Sequence, residues 1–207
     1  MPGTGDRGQV EVFSYLSVVT SIILGLGLAH LLTGYAQLIH AGGLSRDAWI
    51  YSGWILVLLP VYVIYWWSFW DYRMHAHWTF VSFFLLLAGP VGLYFLTALL
   101  LPGEPEPSPS AAGERYLAVR SWIFALWVAL QVWGILLAPW LRDGCNRAAF
   151  LNRYKYAQYL LLAVLVAGLV HSMMTDVVSW LDAVVLITFW AVLAYLVTSH
   201  RRSIAGS

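Results

Sequence analysis

Residues 12–39 read VFSYLSVVTSIILGLGLAHLLTGYAQLI, 28 consecutive positions without Asp, Glu, Lys or Arg. A hydrocarbon core about 30 Å thick is crossed by about 20 helical residues rising 1.5 Å each. The stretch is therefore long enough to span a bilayer with residues to spare. It is also far longer than the roughly 7–15 apolar residues of a signal-peptide core, so it is expected to remain as a first span.

Five more stretches share this silence: Ala48 to Trp70, Thr79 to Leu101, Ser121 to Leu141, Tyr156 to Thr175 and Ala183 to Ser199. Across the whole chain of 207 residues, 61% are apolar and 10% charged, where soluble domains carry roughly 25% charge. The stretches are too long and too continuous for barrel strands, which alternate over about ten residues. In lipid a spanning segment must satisfy its own backbone hydrogen bonds, so each is a helix. The expected fold is all-α: a polytopic integral membrane protein, a bundle of six transmembrane helices. The transmembrane domain covers 12–199, with spans near 12–39, 48–70, 79–101, 117–140, 156–175 and 180–199. Residues 1–11 and 200–207 form the tails.

Lys and Arg set the orientation. Arg7, Arg73, Arg142, Arg147, Arg153, Lys155, Arg201 and Arg202 fall on one side, and only Arg46, Arg115 and Arg120 on the other. Both termini are thus predicted to be cytoplasmic. A multi-pass protein of a bacterial inner membrane is the expected setting. Residues 102–113 begin as a proline-rich run, PGEPEPSPS over 102–110. They read as an extended external linker, because proline lacks the amide donor a helix needs.

Helix 1 carries Ser17, Ser21, Gly25, Ala29 and Thr33 at every fourth position, a row on which a neighbouring helix could approach closely. A second stripe, Thr20, Gly27, His30, Gly34 and Gln37, widens the arc and predicts that this helix sits inside the bundle. Pro60 and Pro90 are expected to kink helices 2 and 3, with Gly89-Pro90 as a break. Trp54, Trp122, Trp127, Trp133 and Trp190 fall deep within spans and read as packing bulk.

An ionisable residue within a span is a functional candidate by default. With the threading above, His30, Arg120, His171, Asp176 and Asp182 all belong to the outer half of the bundle. They form the candidate ion, proton or ligand site. Histidine as a residue type can relay protons near neutral pH, whereas the plain alternative is local pairing at the headgroup level. Gln131 is the clearest amide within a span. His75 and His77 form a weak metal pair in a cytoplasmic loop, short of the three or four ligands a metal site needs. Cys145, the one cysteine, excludes an internal disulfide and reads as a free loop thiol.

No cofactor is expected. A two-haem carrier would need two histidine pairs within the spans, and His30 with His171 supplies one, leaving a single haem or a bound quinone as the redox alternative. The chain lacks a His-Glu-x-x-His motif, a nucleophile elbow and a phosphate loop, so enzymatic activity is not indicated. Nothing suggests nucleic-acid binding. The expected partners are membrane lipid and a second copy or another membrane protein. A small permease or channel with a polar outer vestibule is the leading expectation, and a membrane scaffold or accessory subunit the alternative.

Overall fold

The computed structural model describes residues 4–40, 49–70, 72, 78–101, 109–140, 147–175 and 180–205. Among them every element is helical: α1 (Thr4–His40), α2 (Trp49–Phe69), α3 (Phe80–Leu100), α4 (Pro109–Trp140), α5 (Arg147–Met174) and α6 (Trp180–Ala205). Five helices contain a stretch long and apolar enough to cross a membrane: Val12–His40, Ser52–Phe69, Phe80–Leu100, Glu114–Leu136 and Tyr156–Met174. α6 contributes a shorter apolar stretch, Trp180–Tyr195. Leu26, Val63, Phe84, Leu136, Leu160 and Ile187 are exposed around the outside, which is the surface a lipid solvent requires.

The helices run beyond the apolar spans. α1 begins at Thr4 within the expected tail, and α4 begins at Pro109 within the expected linker. The linker expectation is corrected there: proline's fixed φ and missing amide suit the first position of a helix. Residues 102–108, with most of the prolines, lie outside the described residues.

α1 is peripheral rather than central. It packs on α3 and α2, whereas α2 also meets α6 and α4. The buried face of α1 is Leu16, Thr20, Leu24, Gly27, Leu31, Gly34 and Leu38. The row of Ser21, Gly25, Ala29 and Thr33 is exposed and Ser17 half-buried, and a Cβ on Gly25 would meet nothing within 4 Å. The residues that admit close approach belong to the other stripe. A Cβ on Gly27 would collide with the Tyr62 hydroxyl. That hydroxyl donates to the Leu93 carbonyl at 2.9 Å and lies 2.8 Å from Thr97 Oγ1, joining α1, α2 and α3 at one point.

α3 runs without a break through Gly89-Pro90, contrary to the expected interruption. Proline at 90 cannot donate to the Leu86 carbonyl one turn earlier. Tyr65 from α2 donates to that oxygen instead, at 3.3 Å. Trp133 from α4 donates to the adjacent Leu85 carbonyl at 3.0 Å. Gly89 makes the substitution feasible, since any Cβ there would collide with the Tyr65 hydroxyl. A neighbouring helix thus re-satisfies the backbone that proline frees, as lipid requires.

Candidate functional site

Polar side chains inside the bundle converge where α5 ends and α6 begins. On α4, Tyr116 and Arg120 stand four apart and so share a face. Asp182 occupies the first turn of α6. Arg120 Nη1 donates to Asp182 Oδ2 at 3.4 Å, with both side chains 2% exposed. Tyr116 donates to Asp182 Oδ1 at 2.7 Å, and Trp54 Nε1 from α2 donates to the Tyr116 oxygen at 3.0 Å. Arg120 Nη2 also donates to the Thr175 carbonyl, and lies 3.5 Å from that of Ser172. These belong to the last turn of α5, whose final carbonyls have no partner within the helix.

The electrostatics follow from helix ends. Asp182 lies at the positive end of the α6 dipole and Arg120 at the negative end of α5. Each charge is opposed by its partner and by a complementary helix terminus. Two charges taken out of water are tolerated when they are paired and hydrogen-bonded to each other and to neighbouring groups. The network ties α2, α4, α5 and α6 into a latch.

Of the residues singled out from sequence, Arg120 and Asp182 are in direct contact. His171 lies next to them through Thr175, whose Oγ1 is 3.2 Å from both the His171 ring Nε2 and the His171 carbonyl oxygen. His30 lies elsewhere: its Nε2 is 2.9 Å from the carbonyl of Leu101, the C-cap of α3. A carbonyl only accepts, so that nitrogen carries hydrogen, and His30 closes the end of α3. Asp176, His75, His77 and Cys145 lie outside the described residues. Among the described residues no three His, Cys, Asp or Glu side chains converge as a metal cluster.

Tyr116 and Trp54 were not legible as site residues, although the four-residue spacing of Tyr116 and Arg120 offered a signal. Their face continues down α4 as Phe124, Trp127 and Gln131, every third or fourth position. Below the latch comes an aromatic layer. Trp54 lies 5.6 Å from Phe124, 6.2 Å from Trp127 and 5.9 Å from Phe189, ring centre to ring centre. Trp127 and Phe189 are 4.6 Å apart. Gly168 on α5 leaves the room that Phe124 fills, since a Cβ there would come within 2.8 Å of its ring.

Beyond this layer, toward the end where α4 gives way to α5, lies a cavity of about 200 Å³. It is bounded by Pro60, Val61 and Ile64 of α2, Trp127 and Gln131 of α4, Gln158 and Leu161 of α5, and Phe189, Trp190 and Leu193 of α6. Gln131 is 11 positions from Arg120 on α4, or about 16 Å along a helix. Latch, aromatic layer and cavity thus lie in series within the same four helices.

No family model matches the sequence, and neither a curated protein nor a solved structure gives a significant match.

Proposed function

We propose that this integral membrane protein is a small-solute permease, closed at the latch end, whose substrate occupies the cavity. The supporting observation is the serial order of latch, aromatic layer and cavity between α2, α4, α5 and α6. Ionisable groups within a span are expensive unless they have work to do. Passage from the cavity to the opposite face requires Arg120 and Asp182 to part and Trp54 to leave Phe124. Four helices meeting at one ion pair allow that motion to be a rocking of helices about a fixed site.

Reconstitution into liposomes tests this reading. Stopped-flow light scattering with urea, acetamide and benzamide as probes should show faster permeation than empty liposomes. Asp182→Asn, which weakens the latch, should accelerate it. Permeation equal to empty liposomes for both proteins would remove the transport reading.

The orientation, with both termini cytoplasmic in a bacterial inner membrane, rests on the Lys and Arg distribution alone. Cys145 reports on it. A membrane-impermeant maleimide should label that thiol in inverted vesicles and leave it unlabelled in intact spheroplasts. The reverse pattern would invert the threading.

A further inference from the structure

We propose that the cavity between α2, α4, α5 and α6 binds a neutral, single-ring compound bearing a carbonyl or carboxamide group, taken up from the lipid phase. This names the occupant of the site on which the transport reading rests, and its test is independent of flux.

Size comes first. An apolar cavity of about 150 Å³ accommodates benzene, so a cavity of about 200 Å³ holds one ring with a small substituent. Charge comes second. Among the described residues no Asp, Glu, Lys, Arg or His borders the cavity, so an ionised ligand would find no described counter-charge there. Hydrogen bonding comes third. The Trp127 side chain is 4% exposed, and its indole Nε1 has no partner. Gln131 and Gln158 also border the cavity, and neither side chain is hydrogen-bonded among the described residues. An indole donates, while each amide both donates and accepts. Together they match a group that accepts strongly and donates once or twice, which is the chemistry of a carboxamide. The ring faces of Trp127, Phe189 and Trp190 suit an aromatic guest.

The access route follows from exposure. Ile64 and Trp190 border the cavity and are also exposed on the outside of the bundle. The cavity's rim therefore reaches the surface that lipid covers, between α2 and α6. A neutral ring partitions into that phase, and an ion does not.

Four probes of similar shape separate the terms: benzamide, toluene, benzoate and benzamidine. Binding is read by ligand-observed NMR on the full chain in lipid nanodiscs, with empty nanodiscs as the blank. Benzamide should bind saturably, and benzoate and benzamidine should not. Gln131→Leu with Gln158→Leu should weaken benzamide by about tenfold and leave toluene within about twofold, since only the former needs the amides. Val61→Phe, which fills the cavity, should abolish binding of both. Benzamide binding that ignores the two glutamines, or equal binding of a charged analogue, would overturn the proposal. So would a folded wild-type protein that binds neither neutral probe, the result expected of a water-filled void. Benzamide binding without solute flux would remove the permease reading and leave the site intact.

Discussion

The two ends of the α2–α4–α5–α6 seam handle polar groups in opposite ways. At the latch end, Arg120, Asp182, Tyr116 and Trp54 bond to one another and to the last carbonyls of α5. At the cavity end, Gln131, Gln158 and Trp127 border the cavity, and the Trp127 indole Nε1 has no protein partner. The prolines repeat the contrast. Pro90 has Tyr65 beside its freed carbonyl, while Pro60 borders the cavity and no described side chain takes the equivalent place. The lesson is that polar groups which bond to one another across helices in lipid hold a structure together, whereas those that line a cavity are placed to take a guest.

The sharpest way to break this comparison is at the ion pair. Asp182→Ala leaves a buried guanidinium without its carboxylate and should cost about 3–5 kcal/mol. Unfolding in mixed detergent micelles measures it. Replacing both partners, Arg120→Met with Asp182→Leu, should recover most of that loss. A neutral single variant would mean that the latch holds nothing together.

Gly89→Ala should follow, at about 1–3 kcal/mol, because the new methyl group displaces the Tyr65 hydroxyl. Its effect should shrink when Tyr65→Phe is already present, a non-additivity that the same unfolding assay reads. Tyr65→Phe alone should cost about 1 kcal/mol, the net worth of one hydrogen bond.

The smallest effect is expected at the cavity. Gln131→Leu with Gln158→Leu breaks no hydrogen bond in the described structure and should leave stability within about 0.5 kcal/mol. A loss as large as that at the latch would show the two ends to be alike.

Charge silence made the helical membrane fold legible, because in lipid the absence of charge is itself the requirement. It also marked Arg120, Asp182 and His171, which lie near one end of their spans in any antiparallel threading. It could not assign helix neighbours. His30 has the same depth signature as Arg120, but it is carried by α1, which packs on α3 and α2, so its bond goes to Leu101. The small-residue row on α1 lies on the outer face for a related reason. Two stripes with similar spacing compete on that helix, and the choice between them depends on Tyr62 and Leu101, whose side chains occupy the space over Gly27 and Gly34. Tyr116 and Trp54 were hidden because aromatic residues are abundant here, with 12 Trp and 12 Tyr in the chain, and abundance conceals the few that bond.

The latch also imposes an order on biosynthesis. Arg120 precedes Asp182 by 62 residues, which at about 5–20 residues per second is a delay of roughly 3–12 s. During that interval α4 has been made but its counter-charge has not. Its long stem lets the guanidinium reach toward the headgroup layer in the meantime. Arrival of the last helix supplies the carboxylate. The bundle is therefore finished from its C-terminal end, and a chain stopped short of α6 is left with a cation stranded at the membrane surface.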